Sequence, residues 1–345
     1  MIISMIIKNS YLFSLFIILN SSCSTSNTSE PSNSDPDPAP IPTPTIPVAM
    51  EIADPTILKS EDTYYLYGTY EQNTNLGFPV YTSTNLKDWI APKGSNNGFA
   101  LAQGNAYGTS GFWAPQVFNK NGNFYIFYTA NEKIAMAISN SALGSFSNIN
   151  NSTIPSDKKI IDPFVFLDDN GKNYLYHVRL EDGNKIYVVE LNDDMISVKS
   201  ETLKECIAAT DSWENTQNAS WPVAEGPTVF KYNDLYYMLY SANDFRNIDY
   251  AIGFATSSSP LGPWTKSNKN PIINNTLLGI NGTGHGDIFM DNEQMYYVFH
   301  THKSNTIVTP RRTALIKLNF VSDENNPDYL SADKSSLSLL DYKSK

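Results

Sequence analysis

One pattern recurs five times along this chain, and it limits the fold more than any other feature. Each copy opens on a small or polar residue, usually followed by Pro. Then come β-branched or aromatic residues, a polar turn and a Tyr-rich run. The first copy is Ala53-Asp54-Pro55-Thr56-Ile57-Leu58 with Tyr64-Tyr65-Leu66-Tyr67, and the second is Ala114-Pro115-Gln116-Val117-Phe118 with Phe124-Tyr125-Ile126-Phe127-Tyr128. The third is Asp162-Pro163-Phe164-Val165-Phe166 with Tyr174-Leu175-Tyr176, and the fourth is Glu225-Gly226-Pro227-Thr228-Val229-Phe230 with Tyr236-Tyr237-Met238-Leu239-Tyr240. The fifth is Gly286-Asp287-Ile288-Phe289 with Tyr296-Tyr297-Val298-Phe299. Short aromatic and β-branched runs bounded by Asn, Asp and Gly turns read as strands. A second element, a Ser-rich turn with a Leu and an aromatic residue, follows three copies at 82–89, 139–146 and 257–264. The copies lie about 50–60 residues apart, enough for a four-stranded meander each. The expectation is an all-β domain, a five-bladed β-propeller over residues 50–345. A β-sandwich would need the same strands but would not explain the recurring turn.

The residues before the first copy read differently. Lys8, a short apolar run over 11–19 and the small residues before Cys23 have the order of a secretory signal. The run is shorter than the ~20 apolar residues of a spanning helix. A Cys directly after small residues resembles the lipobox of bacterial lipoproteins; the alternative is plain signal cleavage. Residues 23–49 are Ser/Thr-rich and then Pro-rich, a composition that favours extended polyproline II. The expected organisation is a signal peptide over 1–22, a lipidated Cys23 with a tether to residue 49, and the propeller after it. Such a chain is exported and anchored to the membrane of a bacterial cell envelope through Cys23. Of the two cysteines only Cys206 lies in the domain, so no internal disulfide is expected. The formal charge of −11 argues against nucleic acid and acidic polymers as partners and suits a neutral substrate.

In a propeller the first strand of each blade lines the central channel, so equivalent positions of the copies converge at one mouth. Those positions hold Asp54, Ala114, Asp162, Glu225, and His285 with Asp287. Like charges held close raise one another's pKa, and such clusters mark functional sites more often than structural ones. Glycosidic cleavage needs this equipment: one carboxylic acid to protonate the leaving oxygen and one carboxylate to activate water or attack directly. Trp113 stands at the mouth-facing start of the second copy, where an indole face suits a sugar ring. Trp213 and Trp221 lie on the long segment before Glu225, as pocket wall or as loop packing. His177 and His300 read as packing residues in Tyr-rich strands. No Gly-x-Ser-x-Gly elbow, His-Glu-x-x-His helix or phosphate-cradling Gly-Lys-Ser/Thr loop is present.

The segments Ala53-Asp54-Pro55-Thr56-Ile57, Asp162-Pro163-Phe164-Val165-Phe166 and Glu225-Gly226-Pro227-Thr228-Val229-Phe230 resemble, in order and spacing, the signature strands of glycoside hydrolase family 43. The resemblance spans essentially all of 50–325. It implies hydrolysis with inversion, with Asp54 as general base, Asp162 as the residue that tunes the acid, and Glu225 as general acid. It also implies a channel-centre histidine at His285, near which calcium or another cation is sometimes bound, and an arginine, Arg311, that reaches the site from the last blade. On a strand Arg312 should point the other way. No cofactor is required. The expected activity is exo-acting release of α-L-arabinofuranose or β-xylose from plant-type polysaccharides or oligosaccharides. Endo-arabinanase or galactan-directed hydrolysis is the alternative within the family, and a non-catalytic glycan-binding propeller the alternative outside it.

Overall fold

The structure is a computed structural model that describes residues 46–148, 150–324 and 328–344. The expected signal segment 1–22, and the tether with its Cys23 as far as residue 45, lie outside the described residues. Among the described residues nearly all regular structure is strand, with one short α-helix over Asn275–Leu278 and a 3-10 turn over Ser212–Glu214. The five copies form five sheets, each built outward from its first run. The innermost strands are Ile52–Ser60, Trp113–Lys120, Ile160–Leu167, Ala224–Tyr232 and Gly284–Asp291, and each touches the inner strands of the two neighbouring blades. This is the five-bladed propeller expected from the repeat.

The Tyr-rich runs are the second strands, buried on both faces, which is why they read as nearly unbroken apolar stretches. Side chains alternate across a strand. Accordingly Ile126 and Tyr128 pack toward blade 1 while Phe127 packs toward blade 3. Likewise Tyr237 and Leu239 face blade 5, and Met238 and Tyr240 face blade 3. Among the described residues the core is five apolar clusters, one in each seam between adjacent blades. Each fully buried side chain of this size contributes about 1.5–3 kcal/mol.

Two details depart from the expected layout. Among the described residues blade 2 has three strands instead of four. Isolated bridges, Ile138 with Ser147 and Ala135 with Thr153, stand in for its outer strand. There the Asn148 side chain bonds to the backbone of Met136, Asn150 and Ser152, competing with a regular ladder. At the other end of the chain, Pro47–Ala49, assigned to the tether by composition, forms a strand paired with Asp341–Lys343. That C-terminal strand also pairs in parallel with Trp89–Ile90, and it directly follows the outer strand of blade 5, Tyr329–Leu339. Both ends of the domain thus stitch blade 5 to blade 1 and close the ring.

Candidate active site

All five inner strands carry a bulge at the same place. The pairing with the second strand shifts between Ala53 and Thr56, Trp113 and Gln116, Ile161 and Phe164, Glu225 and Thr228, and Gly284 and Gly286. At the bulge the backbone turns left-handed: φ is 48° at Asp54, 44° at Ala114, 56° at Asp162, 58° at Gly226 and 41° at His285. Bulges re-aim side chains. Because Ala114 shares the conformation without any reactive group, the strain belongs to the blade architecture and is lent to the site.

This register corrects the alignment of the copies. Asp54 and Asp162 occupy the bulge position, but the equivalent residue in blade 4 is Gly226. Glu225 stands one residue earlier, in line with Trp113 of blade 2. The carboxylates therefore do not occupy three identical places. Two come from bulges, and the third comes from the paired position before one, opposite Ser241.

A ring of hydrogen bonds ties the bulges together. The N–H of Ala114 donates to the Thr69 hydroxyl (3.0 Å), that of Asp162 to Thr129 (3.0 Å) and that of His285 to Ser241 (2.8 Å). The N–H of Asp54 donates to His300 Nδ1 (3.2 Å). Each acceptor comes from the second strand of the preceding blade. In blade 3 the equivalent residue, opposite Ile161, is Val178, which offers no acceptor. The Gly226 N–H donates instead to Oδ2 of Asp162 (3.3 Å). The one gap in the ring supplies a donor to a carboxylate of the site.

Asp54, Asp162 and Glu225 are all buried. Asp54 accepts the Thr69 hydroxyl at Oδ2 (2.6 Å) and meets Arg311 Nη1 at Oδ1 (3.0 Å). Burial pushes this carboxyl upward, but Arg311 and the imidazoles of His285 and His300 outweigh it and hold the group well below the usual carboxylate range. Glu225 accepts Tyr250 Oη at Oε1 and Asn184 Nδ2 at Oε2, each at 2.9 Å. Burial exceeds these two hydrogen bonds and raises Glu225 to about 7. Asp162 is also raised well above its ordinary value, by burial first and then by Glu225 and Asp54. Asp162 and Glu225 titrate as a pair that retains a proton into the neutral range. One carboxylate held ionised and another held protonated, in one cavity, is an acid–base arrangement.

The cavity has a volume of about 430 Å³ and draws its walls from all five blades. Trp113 forms one side and Trp221 another. Trp213 instead packs on Tyr240 (5.8 Å between ring centres). Arg311 is buried and reaches Asp54, while Arg312 turns away to Asp341, as the strand alternation requires. The Arg311 guanidinium also donates to Glu71 (Nη2–Oε1 2.7 Å) and lies 4.6 Å from the centre of the Phe245 ring. Glu71, Asn184, Tyr250 and Phe245 carried no signal in the sequence, since their partners are distant in the chain.

His300 corrects a reading as well. Taken as packing, it contacts Asp54 directly and stacks on Tyr250 (5.6 Å, 14°). Tyr250 in turn holds Glu225, so the rings of His300 and Tyr250 connect two carboxylates. Tyr250 fits because Gly284 has no side chain: a Cβ there would lie 2.0 Å from the phenol ring. His177 is buried beside Tyr187, away from the cavity.

His285 sits at the channel centre with Nδ1 3.5 Å from Asp54 and 3.9 Å from Asp162. Its neighbour Asp287 already accepts the hydroxyls of Thr56 (2.7 Å) and Thr228 (2.6 Å). Among the described residues no group of three or more His, Cys, Asp or Glu side chains is placed to hold a metal ion. Calcium takes six to eight oxygen ligands. Waters and backbone carbonyls count among those ligands, and no step below is routed through a cation.

The sequence model for glycosyl hydrolases family 43 matches residues 44–325. The crystal structure of an endo-1,4-beta-xylanase from Bacteroides thetaiotaomicron superposes with a TM-score of 0.78 at 37% identity, covering 87% of this chain and 99% of that one. A beta-D-galactofuranosidase from Aspergillus niger is 25% identical over 285 residues, 76% of this chain and 78% of its own length. An arabinoxylan arabinofuranohydrolase from Paenibacillus polymyxa is 27% identical over 285 residues, 71% of this chain but 42% of its own length.

Proposed function

The chain belongs to glycosyl hydrolases family 43 and hydrolyses glycosidic bonds, and from that premise we propose that it releases single neutral sugar units, α-L-arabinofuranose or β-xylose, from plant-type oligosaccharides or polysaccharides with inversion. The observation that carries the reading is that one cavity holds Asp54 against the Arg311 guanidinium and Glu225 buried without a cation, surroundings that drive their protonation apart. Glu225 gives its proton to the glycosidic oxygen as the bond to the anomeric carbon breaks. Asp54 takes a proton from the water that attacks the opposite face, so the products are a free sugar and an alcohol. Asp162 acts through Glu225: the two buried carboxyls share a proton, and the pair keeps it at working pH. The walls supply Asp54, Glu71, Asp162, Glu225 and Asp244 against Arg311, a balance that disfavours uronic acids.

A panel of aryl glycosides (arabinofuranoside, xyloside, galactoside, galactofuranoside) tests this with wild type, Glu225→Gln and Asp54→Asn. Glu225→Gln should lose activity steeply on poor leaving groups and least on good ones, while Asp54→Asn should abolish turnover whatever the leaving group. Hydrolysis of poor leaving groups by Glu225→Gln would remove it as the acid. Activity on none of the panel, with measurable oligosaccharide binding, would favour a binding propeller.

We also propose export and lipid anchoring at Cys23, on the order of segments in residues 1–49. Radiolabelled palmitate incorporated by the full chain and lost in Cys23→Ala would support it; equal labelling would overturn it.

A further inference from the structure

Trp221 lies on the segment entering blade 4, at the edge of the cavity that holds Glu225. Its indole is 48% exposed, large for an aromatic side chain that lines a pocket. Its Nε1–H donates to Oδ1 of Asn184 (2.9 Å), and Nδ2 of Asn184 donates to Oε2 of Glu225 (2.9 Å). Asn184 begins the third strand of blade 3, and its backbone N–H donates to Pro222 O (2.9 Å). Three hydrogen bonds at Asn184, two donated and one accepted, thus cross the seam between blades 3 and 4.

The direction of this chain is fixed by chemistry. An indole N–H only donates, so it must face the carbonyl oxygen of the Asn184 amide. The amide nitrogen then faces Glu225 and only donates to it. Without the indole the amide is free to turn, and its oxygen would then accept the acid's proton instead of stabilising the carboxylate left behind.

We propose that Trp221 binds the sugar ring of the leaving group on its exposed face and, through its N–H and Asn184, orients the acid Glu225. Recognition of the leaving group and orientation of the group that protonates it are thereby built on one side chain. This rests on the reading of Glu225 as acid. Trp221 and Asn184 are positioning residues with respect to the acid, and Trp221 is also a binding residue. The hydrogen bond from Asn184 lowers the pKa of Glu225 against burial, so its removal has a predictable sign: Glu225 keeps its proton to higher pH.

Three variants separate the parts. Trp221→Phe keeps a ring and loses the N–H. Trp221→Ala loses both. Asn184→Leu keeps the backbone contact to Pro222 and loses the amide. Two readouts apply: the pH dependence of kcat/KM on an arabino- or xylo-oligosaccharide and on the matching aryl glycoside, and NMR titration of the Glu225 carboxyl with 13C-labelled glutamate in substrate-free protein. In Asn184→Leu and Trp221→Phe the Glu225 titration and the alkaline limb should move upward, by about one pH unit in the former, the worth of one hydrogen bond to a charged group. In Trp221→Ala alone, KM should rise several-fold for the oligosaccharide and little for the aryl glycoside. An unmoved titration and alkaline limb in both Trp221→Phe and Asn184→Leu overturns the orienting role. Equal KM changes on the two substrates overturn the binding role. A wild type inactive on every glycoside, with the titration still shifted in Trp221→Phe, overturns the proposed function and leaves the orientation of Glu225 standing.

Discussion

The Thr69 hydroxyl donates to Oδ2 of Asp54 at 2.6 Å while accepting the N–H of Ala114 at 3.0 Å. One buried oxygen thus fixes a reactive carboxylate of blade 1 and the bulge of blade 2. Both of its bonds are needed: the carboxylate must be held toward the cavity, and the bulge N–H is otherwise buried without a partner.

Replacing Thr69 by Val keeps the shape and removes both bonds. Stability should fall by about 1–3 kcal/mol, the cost of a buried donor left unpaired. Activity should fall more than Thr69→Ser, which keeps the hydroxyl. Denaturant titration and kcat/KM of the two variants check this; equal activity in Val and Ser variants would remove Thr69 from the support of Asp54.

The pH dependence of kcat/KM should be a bell set by an ionised Asp54 and a protonated Glu225. Asp54 is held below the usual carboxylate range, so the acid limb should lie below pH 3.8. Glu225 is raised to about 7, so activity should decline as pH rises through that value. Arg311→Met removes the main charge holding Asp54 down, and its acid limb should move to higher pH. Asp244→Asn removes a negative neighbour that raises Glu225, and its alkaline limb should move to lower pH. Initial rates across pH 3–9 (a range of about six units around these groups) test both signs.

Val178 leaves the Gly226 N–H free to serve Asp162. Val178→Thr is nearly isosteric and would supply the acceptor that the other blades have. The Gly226 N–H should be drawn to it, Asp162 should lose its donor, and kcat/KM should fall on the order of tenfold. Val178→Ala offers no acceptor, so it should cost about 1–3 kcal/mol of stability as a cavity without that kinetic signature. Unchanged kinetics in Val178→Thr would show that the gap in the ring is immaterial.

Chelation should leave activity intact. No step of the proposed reaction is routed through a cation, so dialysis against EDTA should change kcat/KM by less than about twofold, with no recovery on adding calcium. A large calcium-restored loss would place a functional ion in the channel.

Much of the site was legible from the repeat because strand order and side-chain alternation are local properties. The runs from Asp54, Asp162 and Glu225 lead into inner strands, and inner strands of a propeller converge by construction. Alternation sets Arg311 and Arg312 on opposite faces, and the resemblance selects Arg311. The register of Glu225 was not legible, because a bulge inserts a residue without changing the apolar pattern on either side of it. His300 was misplaced for a related reason: a buried imidazole in a Tyr-rich strand has the same sequence context whether it packs or bonds to a carboxylate.

The sequence by itself determined the blade count, the β class and the meeting of acidic residues at one end of the channel, since each depends on a periodicity written along the chain. The tertiary structure alone decided which carboxylate keeps its proton. That choice rests on Arg311 reaching Asp54 from the last blade and on the burial of Glu225, which outweighs the hydrogen bonds from Tyr250 within blade 4 and from Asn184 across the seam with blade 3. Such contacts join residues far apart in the chain, and the charge state of a buried group depends on distances that no local pattern encodes.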